Sequence, residues 1–219
     1  QTGIGTTTQT RPQPGQVNLE YSRVYIHVGK VGLGHEHAVV GKLRSGTLRL
    51  GAAAQAGQLV FEMQSFDADG AAARKYLGLE GDTSDSTRRQ VNENMRGPLV
   101  LDVERYPTAV FQIDSSLPEP PADSASQSAP GSARYRLKGK FQLHGASQPL
   151  EFVATAAPQK GWQHVNGGFR MLQSHYGIKP FTKAFGAIGV ADELRIWGDL
   201  WVVPSPAETS SAATRPLNR

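Results

Sequence analysis

RYRLKGKFQLH, which spans residues 134–144, is the stretch of this chain in which apolar and polar residues alternate most regularly. Its apolar positions are Tyr135, Leu137, Gly139, Phe141 and Leu143. Side chains along a β-strand point alternately to its two faces, so a period of two predicts an antiparallel strand with one buried and one solvated face. The Arg and Lys residues of this stretch would form the solvated face. Contact with acidic lipid headgroups or with a protein partner is the alternative role for them.

The same period recurs along the chain and predicts eight or nine strands at the spacing of β-hairpins. Other clear examples lie at residues 24–28, 59–63, 109–113, 150–154, 162–172 and 194–203. One helix is predicted at residues 85–96, because this stretch contains no Gly or Pro and ends at Gly97-Pro98; residues 71–77 could add a short turn of helix. The number of strands favours a closed barrel or a sandwich, since closure removes exposed strand edges.

One domain is predicted at residues 17–204, between two flexible arms at residues 1–16 and 205–219. The arms are rich in Thr, Gln, Ser, Ala and Pro and show no apolar period that could build a core. Residues 115–133 have a similar Pro-, Ser- and Ala-rich composition and separate two predicted strands. We expect them to form a disordered hairpin loop.

The composition excludes several classes of function. The 219 residues contain no Cys, which removes disulfides, thiolate metal sites, iron–sulfur clusters and cysteine nucleophiles. The formal net charge is +4, but the arms contribute half of it, because residues 17–204 carry 20 basic and 18 acidic residues. Such a small excess cannot supply the phosphate contacts of nonspecific nucleic-acid binding, so no nucleic-acid partner is expected.

The start of the chain bears on the expected location. The chain opens at Gln1 with a polar stretch, as it would after removal of a leader peptide. The absence of Cys suits an oxidising compartment, and no apolar run approaches the roughly 20 residues of a membrane-spanning helix. We therefore expect a periplasmic or secreted protein.

Gly34-His35-Glu36-His37 is the first candidate binding feature. In a strand, His35 and His37 would point to one side and could share a metal or haem with a third ligand from elsewhere. The alternative, which the sequence favours, is that both histidines hydrogen-bond within a polar patch or at the mouth of a cavity. Nucleophilic hydrolysis is not expected, because the chain has no Gly-x-Ser-x-Gly elbow.

Aromatic residues on the apolar strand faces are the second candidate feature. They are Phe61, Phe111, Phe141, Phe152, Phe169 and Trp197. In a sandwich they would form an ordinary core, whereas in a barrel of about eight strands they could line an apolar pocket. Alternation alone does not separate these two cases.

Several motifs follow one another in a characteristic order. They are SRVYIHV at residues 22–28, GHEHAVVG at 34–41, LDVERYPTAVF at 101–111, LKGKFQLHG at 137–145, and YGI at 176–178 ahead of VADEL at 190–194. In this order they resemble the YceI-like family of polyisoprenoid-binding proteins across residues 17–203. The resemblance implies an extended, lipocalin-like antiparallel barrel whose interior holds a long isoprenoid chain, a periplasmic or secreted location, and no catalysis. The His-x-His pair and the segments 67–98 and 115–133 depart from the common pattern.

We therefore expect an all-β fold, an antiparallel β-barrel with one short helical insertion. The expected function is noncatalytic binding or transport of an apolar isoprenoid lipid of polyprenyl or quinone type, with no other cofactor. Large residues on the apolar faces are the candidates for ligand contact: Phe111, Ile113, Leu137, Phe141, Phe152, Phe169 and Ile196. One alternative is a metal- or haem-handling protein built on His35 and His37. The other is an accessory subunit that grips a protein or membrane partner through its arms or the 115–133 loop.

Overall fold

Eight long strands form one closed barrel in the computed structural model, which describes residues 12–120, 131–183 and 187–205. The strands are β1 (Arg23–Gly32), β2 (His37–Leu48), β3 (Gly57–Ala68), β4 (Thr108–Glu119), β5 (Ala133–Leu143), β6 (Ala146–Gln159), β7 (Trp162–Leu172), the two-residue β8 (Thr182–Lys183) and β9 (Ile188–Val202). Strands β1 to β7 pair in sequence order, β7 pairs with β9, and β9 pairs with β1 to close the barrel. Every pairing is antiparallel, so the predicted fold is confirmed.

Strand β5 shows how the sequence builds the barrel wall. Leu137, Gly139, Phe141 and Leu143 are buried, and the residues between them are exposed. Full burial of a Leu or Phe side chain contributes about 1.5–3 kcal/mol, which fixes this register because a one-residue slip would expose the whole set. On the outer face, the Arg136 guanidinium donates hydrogen bonds to the carboxylates of Glu119 and Glu151 on the neighbouring strands.

Residues 15–18 close one end of the barrel. They run between the last residues of β2 and β9, beyond the start of β1. The N–H of Val17 donates to the Gly46 carbonyl at 3.0 Å, and the N–H of Val203 donates to the Gln16 carbonyl at 2.9 Å. The prediction that residues 1–16 form a flexible arm is therefore wrong for Gly15 and Gln16. Their backbone groups form hydrogen bonds with Leu48 and Val203, beyond the point where β1 begins. Residues 1–11 and 206–219 lie outside the described residues.

Two helices cover the opposite end, α1 (Ala71–Leu77) and α2 (Asp85–Arg96), both between β3 and β4. The Ser84 hydroxyl accepts a hydrogen bond from the Thr87 N–H and caps the start of α2. Asn92 fixes α2 to the end of β3, because its amide donates to Asp67 at 2.9 Å and its carbonyl accepts from the Ala68 N–H at 2.8 Å. Both predicted helical stretches are confirmed. Neither helix, nor the 3₁₀ turn Gln173–Tyr176 in the described ranges, is long and apolar enough to cross a bilayer.

The predicted loop at residues 115–133 is shorter than its composition indicates. Strand β4 continues to Glu119 and β5 begins at Ala133, after a bulge that shifts the register between Ile113 and Ser115. Ser116 is fully buried, and Glu119 pairs with Arg136. These cross-strand contacts hold residues 115–119 in the sheet, and a Pro- and Ser-rich composition does not reveal them. Residues 121–130 lie outside the described residues.

Gly139 occupies a position on β5 where the neighbouring backbone leaves no room for a side chain. A Cβ atom there would lie 2.0 Å from the carbonyl oxygen of Gln112. We expect Gly139→Ala to lower the free energy of unfolding by about 2 kcal/mol or more, measured by urea denaturation.

Gly198 on β9 provides the matched control. The nearest atoms to a Cβ atom at this position are 3.9 Å away, an ordinary contact distance. Gly198→Ala should therefore leave stability nearly unchanged. If the Gly139→Ala and Gly198→Ala variants are equally stable, β4 moves away from the added methyl group without a loss of stability. That result would contradict this prediction.

Candidate ligand-binding cavity

The interior of the barrel contains a cavity of about 220 Å³. Inward-facing residues of all eight long strands line it, together with α2, residues 100–101 and the segment after β7. Nearly all of these side chains are apolar, such as Val24, Leu59 and Met63. Such a lining favours an apolar ligand, because contact with it releases apolar surface from water on both sides.

Aromatic rings form a connected row on one side of this cavity. The ring centroids of Phe111 and Phe152 are 5.8 Å apart, those of Phe152 and Phe169 are 5.1 Å apart, and those of Phe169 and Phe141 are 6.3 Å apart. These separations lie within the range of favourable tilted and edge-to-face ring pairs. The row fixes the shape of the cavity wall across β4 to β7.

Six of the seven predicted ligand-contacting residues line the cavity: Phe111, Leu137, Phe141, Phe152, Phe169 and Ile196. Their contact with a ligand stays a prediction. The seventh, Ile113, lies outside the lining and is fully buried. It pairs with Gly57 and Gly139 near the closed end of the barrel, where the absence of side chains on both neighbours lets it pack into the core.

Trp197 does not belong with the inward aromatic residues. It follows the inward Ile196 on β9, so it points to the outside of the barrel, opposite Tyr25 of β1. Farther along this outer face, the Trp201 ring stacks on His164 with centroids 4.3 Å apart. The grouping of Trp197 with the pocket residues is therefore wrong, because its position in the strand has the opposite parity.

Three polar side chains, His37, Asn94 and Gln173, interrupt the apolar lining. His37 lies opposite Val28 on β1, at the end of the barrel that carries the helices. Asn94 belongs to α2, and Gln173 lies just beyond β7, where its amide donates to the Ala191 carbonyl at 2.8 Å. All three polar groups are therefore at the same end of the cavity.

A buried ion-pair network orients His37. Its Nδ1 lies 2.6 Å from the carboxylate of Asp69, which also accepts from the Ala38 N–H at 3.0 Å and from Arg74 at 3.1 Å. Burial alone would raise the pKa of Asp69. The hydrogen bonds from His37, Ala38 and Arg74 outweigh that effect and hold the pKa below its usual value of 3.8. The carboxylate therefore stays ionised, and Nδ1 of His37 is the proton donor.

The structure does not bring His35 and His37 together on one strand face. β2 begins at His37, so His35 lies in the preceding exposed segment and His37 points inward. Within the described ranges, no three His, Asp or Glu side chains are grouped closely enough to hold a metal ion. Of these polar residues, the sequence pattern indicates only His37 and not Asp69, Asn94 or Gln173. Asp69 is 32 residues from His37 along the chain, so no local pattern connects the two.

Comparison with solved structures finds the same barrel in distant relatives. A polyisoprenoid binding domain from Saccharophagus degradans superposes with a TM-score of 0.58 at 13% identity, covering 88% of this chain and 100% of that one. BcnA of Burkholderia cenocepacia superposes with a TM-score of 0.53 at 18% identity, covering 85% of this chain and 99% of that one. At such low identity these likenesses show the fold alone.

The family assignment rests on comparison of the sequence with a family model. A search of curated proteins found no match. The model of the YceI-like domain, by contrast, matches residues 16–200, which is most of the chain and includes every strand of the barrel but the last two residues of β9. This chain therefore belongs to the YceI-like domain family.

Proposed function

We propose that this protein binds the apolar chain of an isoprenoid lipid inside its barrel, without catalysis. The observation that carries the proposal is the cavity, whose lining is apolar apart from His37, Asn94 and Gln173. Each methylene that the lipid transfers from water contributes about 0.8 kcal/mol, so several isoprene units would bind tightly without polar contacts along the chain.

Family membership supports the same class of ligand. The chain belongs to the YceI-like family, and its structural relative from S. degradans is described as a polyisoprenoid binding domain. A polyprenyl or quinone-type ligand, transport of that ligand, and a periplasmic or secreted location are further parts of the proposal. Each is a prediction from the sequence.

No observation in the described residues favours either of the two alternative functions. Metal or haem handling would require His35 and His37 to share a face, and they do not. An accessory role through the arms or the 115–133 loop depends mainly on residues 1–11, 121–130 and 206–219, which lie outside the described residues.

Native mass spectrometry of the full chain with squalene, an isoprenoid hydrocarbon, tests the proposed function directly. We expect a complex of one lipid per barrel, because the cavity is a single space enclosed by one set of strands. The mass shift and its titration midpoint give the stoichiometry and the affinity. Protein that stays free of lipid at saturating squalene would overturn the proposal.

A further inference from the structure

A hydrogen-bond network fixes the orientation of the His37 side chain at the cavity wall. Asp69, whose side chain is 1% exposed, receives hydrogen bonds from the His37 ring, the Ala38 N–H and the Arg74 guanidinium. Asp69 also has a positive φ of 57°, a backbone conformation that costs free energy for a residue other than Gly. The three hydrogen bonds hold this strained residue in place, and it in turn holds the imidazole.

The other ring nitrogen of His37, Nε2, has no hydrogen-bond partner among the residues that the structure describes. The side chain is 18% exposed and belongs to the cavity lining, opposite the inward residue Val28. Because Asp69 accepts the proton of Nδ1, Nε2 of the neutral ring is a hydrogen-bond acceptor, and it becomes a donor when the ring is protonated. His37 can therefore bond a hydroxyl or a carbonyl at this end of the cavity.

Asn94 adds a second unused polar group at the same end. Its half-buried side-chain amide lines the cavity and makes no hydrogen bond within the described part of the chain. An amide offers both a donor and an acceptor. The polar atoms of His37 Nε2 and Asn94 are not sealed off from solvent, and neither group has a protein partner in the described residues. Because both lie at one end of an apolar cavity, they indicate where the polar end of a ligand binds.

The charges at this end distinguish between classes of polar ligand group. Among the described residues, no Lys or Arg side chain lines the cavity. Each nitrogen of the nearby Arg74 guanidinium already donates a hydrogen bond, to Asp69 or to the backbone carbonyls of Glu80 and Gly81. Its charge compensates that of Asp69. The ammonium of Lys183 lies 5.4 Å from the ring centroid of the lining residue Phe181, but Lys183 itself is not part of the lining. A phosphate or diphosphate beside His37 would lose its hydration without a cation in the lining to pair with it, which is costly.

We propose that His37, oriented by Asp69 and assisted by Asn94, is the polar anchor of the cavity and selects isoprenoids that end in an uncharged hydroxyl or carbonyl oxygen. This inference rests on the proposed function and specifies its ligand class. The apolar lining supplies affinity for any isoprenoid chain, and the anchor distinguishes among the groups at its end.

Three probes of similar chain chemistry test the anchor: squalene, geranylgeraniol and geranylgeranyl diphosphate. Their dissociation constants are measured for the wild type and for His37→Asn. The Asn amide can keep the hydrogen bond to Asp69, but it has no counterpart of Nε2. We expect the wild type to bind geranylgeraniol at least about tenfold more tightly than the diphosphate. His37→Asn should weaken geranylgeraniol binding about three- to tenfold, the range of one lost hydrogen bond, and leave squalene binding unchanged.

Squalene binding separates failure of the anchor from failure of the proposed function, and it also reports whether the variant folds. If squalene and geranylgeraniol bind but His37→Asn affects neither, the anchor is overturned and isoprenoid binding stands. Tighter binding of the diphosphate than of the alcohol would also overturn the anchor. If squalene does not bind the wild type, both the proposed function and the anchor are overturned. His27→Asn, on the outer face of β1, is the matched control and should change none of the three affinities.

Discussion

Gly198→Phe is expected to weaken isoprenoid binding about a hundredfold while the barrel stays folded. Gly198 points into the cavity from β9, and a Cβ atom there would meet no other atom closer than 3.9 Å. The phenyl ring would therefore occupy ligand space rather than displace the wall. If it excludes about four methylenes of the lipid, the loss is about 3 kcal/mol, or roughly a hundredfold in the dissociation constant for squalene.

Gly198→Ala is the control at the same position, since one methyl group leaves most of the cavity open. Its affinity for squalene should stay within about threefold of the wild type. Thermal unfolding of both variants checks that the barrel survives. Full squalene binding by a folded Gly198→Phe variant would mean that the lipid binds elsewhere, and the cavity would lose its assigned role.

Local alternation predicts the barrel wall well where the register is regular, as in β5, whose inward residues agree with the sequence pattern. It fails where the register shifts. The inward positions of β3 are Leu59, Phe61 and Met63, and then Phe66 and Ala68, because bulges in the pairing with β2 change the parity of the strand. The sequence pattern therefore predicted only the first three. The ring of Phe66 fits beside Gly41 because glycine has no side chain. A Cβ atom at this position would lie only 2.5 Å from the ring.

The polar end of the cavity could not be predicted in the same way. Asp69 lies just past β3, and its contacts with His37 and Arg74 depend on where β2 begins and how α1 packs on it. A period of two carries no information on such contacts. The sequence points to His37 only because His-x-His is a common spacing of metal ligands. Its partner proved to be a carboxylate rather than the second histidine.

The Asp69→Asn variant is expected to lose about 3 kcal/mol of the free energy of unfolding. The substitution removes the buried negative charge and leaves the Arg74 charge uncompensated. It also places an amide N–H where the carboxylate accepted hydrogen bonds from three donors. Breaking a buried ion pair by removing one partner typically costs about 3–5 kcal/mol. Urea denaturation near neutral pH measures the loss.

Asp199→Asn is the matched control, because Asp199 forms a similar pair with His164 at 2.7 Å on the outer wall. Its carboxylate is 21% exposed, so water can replace much of the lost interaction and the cost should stay below about 1 kcal/mol. If the two variants lose the same free energy of unfolding, burial does not increase the contribution of the Asp69 network to stability, and this prediction is wrong.

The pH dependence of the Asp69→Asn loss gives an independent check on the network. The pKa of Asp69 in the folded protein lies below its usual value of 3.8, because the bonds from His37, Ala38 and Arg74 outweigh the effect of burial. A depressed pKa adds stability that is fully present above the unfolded-state value, and that stability is lost as the pH falls through the folded-state value. The gap between wild type and Asp69→Asn should therefore narrow as the pH falls below about 4. A gap that widens as the pH falls below about 4 would mean that the folded protein favours the protonated carboxyl, so that the network would no longer hold His37 through an ionised partner.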